Sequence, residues 1–266
     1  MNTKKKICIA AIALLSAFAL FAGGMCLSQY LDAKNSDDAF NNLAEQIVEV
    51  EVPETVPEPT EKDEAEEEPE VDPAVEEARL AHEKYAPLFE QNQDFIGWIC
   101  IEDTNINYPV MQSPDNPDFY LKHGFDKNYS DYGVPYIDEA CATGISNNLV
   151  IYGHHMNNGS MFANLVKYTD KTFYEAHPVI KFDTLSTLGE YEIVAVFTFD
   201  TNHEKFRYNE YTDMDEEEFA EFMENVRARA LYDTGVEAKY GDRLLTLSTC
   251  EYSHNNGRFV VVARKK

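Results

Sequence analysis

Basic residues are scarce in this chain. Its 266 residues include 48 acids against 22 Lys and Arg, a formal net charge of −26. The one basic run is Lys4-Lys5-Lys6. Without a basic stripe to neutralise phosphates, nucleic-acid binding is excluded. Metal motifs are missing too. There is no Cys-x-x-Cys pair, and His154-His155 lacks the helical spacing of a ligand pair. The many carboxylates form no EF-hand loop. No glycine-rich phosphate loop and no internal repeat occurs, so no metal or cofactor is expected. A hydrophobic content of 44% excludes a wholly disordered chain.

What is present divides the chain into four parts. Residues 1–6 carry the lysines. Residues 7–27 are apolar apart from Ser16 and Gly23-Gly24, and about twenty apolar residues cross a bilayer as a helix. The flanking lysines favour the cytoplasmic side, which puts the remainder outside, as a single-pass type II protein. A cleaved signal peptide fits less well, because the run is long and no Ala-x-Ala site follows. Lipoprotein cleavage at Cys26 is disfavoured by Met25, where a small residue is wanted. Residues 36–50 suggest a short helix, but 28–73 as a whole read as an acidic Pro/Glu-rich disordered stalk. Between Glu49 and Glu77 stand fourteen acids and one base, Lys62, with prolines at 53, 57, 59, 69 and 73. Such a run cannot bury apolar surface and repels itself. Residues 74–266 carry the folded domain. Cys8 and Cys26 lie in the anchor, and Cys100, Cys141 and Cys250 remain, an odd number that flags a free thiol. Cys100 reads as core filling, and a Cys100–Cys141 disulfide has no spacing rule behind it.

Helical spacing of Val75, Leu80, Tyr85, Leu88 and Phe89 predicts a helix over 74–92. Short strands follow at 95–101, 106–110, 149–152, 179–182, 191–199, 244–249 and 259–263. Helical stretches interrupt them at 161–168, 171–176 and 215–231, the last with Asp213 or Asp215 at its start. The absence of a βαβ rhythm points to a closed or sandwiched sheet. Three chemically active residues fall at strand ends. Arg243-Leu244-Leu245-Thr246-Leu247-Ser248-Thr249-Cys250 ends in a thiol. Arg258-Phe259-Val260-Val261-Val262-Ala263-Arg264 begins with a guanidinium. The stretch between, rich in Asn and ending in Gly257, reads as a loop. An antiparallel hairpin sets Cys250 opposite Arg258. Asn148-Leu149-Val150-Ile151-Tyr152-Gly153 delivers His154. Thiol, imidazole and guanidinium together make a candidate acyl-transfer site.

Thr246-Leu247-Ser248-Thr249-Cys250, Ile151-Tyr152-Gly153-His154-His155-Met156 and Arg258 resemble the signature of the class B sortases, membrane-anchored cysteine transpeptidases of Gram-positive bacteria. Asp94-Phe95-Ile96-Gly97-Trp98-Ile99 and Tyr108-Pro109-Val110-Met111-Gln112 are also similar, and the resemblance covers residues 85–266. It implies a mainly β fold with added helices: an eight-stranded barrel, an N-terminal helix and a helix inserted before the penultimate strand. It also implies that Cys250 attacks the carbonyl of a threonine in a C-terminal sorting motif of a secreted protein. The thioester then passes to an amine of a peptidoglycan precursor or a pilin.

In that reading Cys250 is the nucleophile. A free thiol titrates at about 8.5, and a nearby cation raises its thiolate fraction. The alternative is a buried strand cysteine. The family pattern makes His154 the general acid/base and leaves His155, which points the other way, a structural role. His254 reads as a surface loop residue. Arg258 supplies a fixed fork of donors for the oxyanion, against the alternative of an ion pair to Glu251. The flanks Tyr152, Ser248 and Glu251 are candidate substrate contacts, although Tyr152 also suits a packed strand position. Two other functional classes share these features: a cysteine protease using water as acceptor, and a non-enzymatic surface binding module on an acidic stalk.

Overall fold

The structure is a computed structural model that describes residues 3–50, 72–251 and 256–266. The acidic run at 51–71, expected to be an extended spacer, and His254 lie outside the described residues. The chain forms two compact units, Met1–Asn42 and Leu43–Lys266.

The first unit is helical. Helix α1 (Thr3–Ala44) is long and apolar enough to cross a membrane, and Leu15, Phe18 and Phe21 are exposed on it. It runs on past the expected anchor at 7–27, so residues 28–44 are helical, and the helix expected from residue 36 is the end of this one. The physical reason is local. No proline or glycine stands between Gly24 and Ala44, and Leu, Ala, Lys and Gln in that stretch favour helix.

In the second unit, helix α2 (Pro73–Gln91) starts where the acidic run ends. Asp72 Oδ1 accepts the Ala74 N–H (2.9 Å), and Pro73 takes a first-turn position where its missing N–H is harmless. Among the described residues eight strands follow: β1 (Phe95–Cys100), β2 (Asn107–Met111), β3 (Tyr136–Ile137), β4 (Asn148–Tyr152), β5 (Val179–Thr184), β6 (Glu190–Asp200), β7 (Leu244–Glu251) and β8 (Gly257–Lys265). They close into a barrel in the order β1-β2-β3-β4-β7-β8-β6-β5, with β5 returning to β1. Seven strands answer to the apolar runs in the sequence. The eighth, β3, is two residues long, too short to show any period. It joins β2 through the single pair Met111↔Tyr136 and β4 through Tyr136↔Tyr152 and Ile137↔Ile151.

Strands β7 and β8 are buried over most of their length, which explains their near-continuous apolar sequence. A 3₁₀ segment, Phe162–Thr169, packs against both of them and against β6. Helix α3 (Lys171–Ala176) comes next, and α4 (Glu216–Arg229) enters between β6 and β7. Asp215 caps α4 in a reciprocal pair with Glu218 (2.9 and 3.0 Å). Phe219, Phe222, Met223 and Val226 form its buried stripe.

Candidate active site

Two ladders meet at one end of β7. On one side β7 pairs antiparallel with β8, and Cys250 stands directly opposite Arg258. Directly opposed residues share a face of the sheet, so thiol and guanidinium lie on the same side. On the other side β7 pairs parallel with β4, with Tyr152 beside Ser248. His154 and Cys250 each lie two residues farther along, so they continue the same face.

The turn out of β4 explains the glycine before the histidine. A side chain on Gly153 would meet the Phe162 ring at 2.6 Å, and Phe162 is completely buried. Only glycine lets β4 pass so close to the 3₁₀ segment. Thr249, the residue before Cys250, fastens the same turn: its Oγ1 donates to the Gly153 carbonyl (2.8 Å). The Phe162 N–H donates to the His154 carbonyl (2.8 Å). Threonine and glycine thus lock the two motifs to each other.

His154 is oriented by a carbonyl. Its Nε2 lies 2.7 Å from Leu121 O. A carbonyl oxygen only accepts, so Nε2 carries a proton and Nδ1 is the nitrogen free to exchange one. Leu121 ends a short 3₁₀ turn, Phe119–Leu121, anchored by the buried Tyr120. The Tyr120 hydroxyl donates to Asp94 (2.8 Å) and accepts from Asn92 Nδ2 (2.9 Å), and its carbonyl accepts the Val134 N–H (3.0 Å). Arg258 donates from Nη1 to the Gly257 carbonyl (3.1 Å). His155 faces away from this arrangement, and its Nδ1 lies 2.9 Å from the Cys250 carbonyl.

Cys250, His154 and Arg258 all line one cavity of about 760 Å³, and Tyr152 and Ser248 line it with them. Glu251 is not among its lining residues. Several lining residues carry no motif: Tyr136, Asp138 and Tyr208. The Tyr152 hydroxyl donates to Asp138 Oδ2 (2.6 Å), Tyr136 OH donates to Asp118 Oδ1 (3.1 Å), and Tyr208 OH shares a hydrogen bond with Ser248 Oγ (2.7 Å). One signal for two of them was available: Tyr136 and Asp138 stand two apart, as residues on one strand face do.

These phenols stay protonated. Burial pushes the Tyr152 hydroxyl upward, with the hydrogen bond to Asp138 adding to it. Burial and then Asp118 raise Tyr136, against an opposing pull from Arg258. Tyr208 is raised by burial and drawn back by Ser248 and Arg258. The cavity therefore offers a thiol, an imidazole, a guanidinium and neutral hydroxyls, a set suited to acyl transfer through sulfur. Among the described residues no cluster of His, Cys, Asp and Glu is arranged to hold a metal.

Comparison with known proteins covers the same segment. The sortase-domain family profile matches residues 99–266. Sortase B of Listeria monocytogenes is 38% identical over 173 residues, covering 64% of this chain and 69% of that protein. Sortase B of Staphylococcus aureus is 32% identical over 189 residues, covering 68% and 76%. The solved Staphylococcus aureus sortase B–substrate complex superposes with a TM-score of 0.63 at 29% identity, over 70% of this chain and 85% of that one. Barrel order, motif placement and similarity over most of the chain agree: the chain belongs to the sortases, in class B, and is a cysteine transpeptidase.

Proposed function

We propose that Cys250 is the nucleophile, His154 the general acid/base and Arg258 the oxyanion donor of this transpeptidase. The observation that carries the reading is the register of two ladders, with Cys250 opposite Arg258 and His154 in step with Cys250 across β4 and β7. The Cys250 thiol gives its proton to Nδ1 of His154 as Sγ attacks the carbonyl carbon of a threonine in the C-terminal sorting motif of a secreted protein. Negative charge develops on the carbonyl oxygen, where the Arg258 fork supplies directed donors. His154 gives a proton from Nδ1 to the departing amine, and a thioester on Cys250 remains. A primary amine of a peptidoglycan precursor or a pilin then attacks the thioester, Nδ1 takes its proton, and the C–S bond breaks as that proton returns to Sγ.

The apolar helix α1 supports membrane anchoring, and Lys4-Lys5-Lys6 supports a cytoplasmic N-terminus with the barrel outside. Tethering at the surface raises the effective concentration of substrates held at the same membrane. The test uses the full-length protein in detergent with a panel of threonine-containing peptides. Intact-mass analysis is expected to show an acyl adduct on Cys250, and an added primary amine to divert product from free acid to amide. Free acid alone, whatever the amine concentration, would make the protein a hydrolase.

A further inference from the structure

The ladder between β4 and β7 continues where its backbone bonds stop. In a parallel pair the rungs repeat along each strand at every second residue. Beyond the paired strands a backbone rung runs from the Gly153 N–H to the Ser248 carbonyl (3.1 Å). The same spacing puts the next rung between the N–H of residue 155 and the carbonyl of Cys250. An imidazole nitrogen occupies that place: His155 Nδ1 is 2.9 Å from Cys250 O. Because a carbonyl only accepts, Nδ1 is the donor. His155 is held in turn by an antiparallel bridge to Met161. Met161 has a φ of 56°, a region that a non-glycine side chain enters only where its surroundings hold it. The Met161 N–H donates to Tyr108 OH (3.0 Å), so the bridge is fixed to β2.

We propose that His155 is a positioning residue for the Cys250 thiol, its Nδ1–H supplying the rung that the backbone does not. On its β8 side the end of β7 is held by the Cys250↔Arg258 and Glu251↔Gly257 pairs. On its β4 side the peptide that follows Cys250 is held by His155. Fixing that peptide plane fixes the backbone torsion that aims the thiol into the cavity. The role requires a donor one bond beyond Cγ and no charge. It rests on the reading of Cys250 as nucleophile.

The test compares three substitutions in the full-length protein. The side-chain nitrogen of asparagine lies as many bonds from Cα as Nδ1. That of glutamine lies one bond farther, matching Nε2, and leucine has none. With rates normalised to alkylatable Cys250 thiol, His155→Leu and His155→Gln are expected to lose about tenfold in kcat, the order of a small misplacement of a reacting group. KM for the peptide should stay within about twofold in both. His155→Asn is expected to recover most of the rate. Gln equal to or better than Asn, or losses that follow Tm alone, would overturn the role. So would wild-type rates in all three variants of an enzyme that Cys250→Ala inactivates, and that result would leave the nucleophile standing. Turnover surviving in Cys250→Ala would overturn both readings together.

Discussion

Cys141 and Cys250 flank the same strand, β4, and their surroundings differ in every respect that matters to a thiol. Cys141 is 3% exposed. Its Sγ–H donates to the Asn148 carbonyl (3.5 Å), and its sulfur accepts the Val150 N–H (3.3 Å). Burial pushes this thiol up to about 12, despite the Val150 N–H pulling the other way. It is a small buried hydrophobe that finishes the edge of β4. Cys250 opens onto the cavity, faces Arg258 across the hairpin, and stands in step with His154. Reactivity belongs to the environment: the same atom is closed off on one flank of β4 and presented on the other.

The comparison can be broken most directly by exchanging roles. Cys250→Ala is expected to abolish peptide cleavage, a loss of about 10³-fold or more, with the Tm little changed. Cys141→Ala should keep the rate and lower the Tm. Chromatographic assay of cleaved peptide and a thermal melt read both, and an inactive, folded Cys141→Ala would reverse the assignment.

Arg258→Lys keeps the charge and removes the planar fork. If directed donors matter, kcat should fall by about 10²–10³-fold, as for one missing oxyanion donor. Full activity in Lys, with loss in Ala, would reduce Arg258 to a point charge. Next in size is His154→Ala, expected to lose on the order of 10²-fold, well beyond His155→Ala. The reverse ranking would show that the acid/base is the neighbour.

The smallest effect concerns pH. Unfolded, a cysteine titrates near 8.5, whereas folded Cys141 does so at about 12. Its protonated thiol therefore adds stability that is complete below about pH 8.5 and is lost as pH rises towards 12. Cys141→Ala should show a shallower fall in Tm between pH 8.5 and 11 than the parent. Iodoacetamide mapping at pH 9 should label Cys250 and spare Cys141, and equal labelling would erase the distinction.

Cys250, His154 and Arg258 were legible as candidates because each sits beside a local signal: an Asn-rich loop ending in Gly257, an apolar strand, or a glycine with a steric reason. The opposite wall of the cavity was not. Tyr136 and Asp138 belong to or follow a two-residue strand that exists only through pairing with β2 and β4. Tyr208 stands on a short 3₁₀ turn, Tyr208–Glu210, and meets Ser248 forty positions away in sequence. Such contacts have no period to read.

The parallel seam between β4 and β7 also governs when the enzyme becomes an enzyme. Thr249 and Gly153, which lock the two motifs, are 96 positions apart, and closing so long a loop is entropically slow relative to forming a hairpin. A chain in which only the β7–β8 hairpin has formed holds Cys250 against Arg258 without His154 in step. Catalytic competence should therefore arrive in one event, the zipping of that seam. On refolding, recovery of turnover should coincide with protection of the Gly153 amide from hydrogen exchange, since that N–H donates to the Ser248 carbonyl.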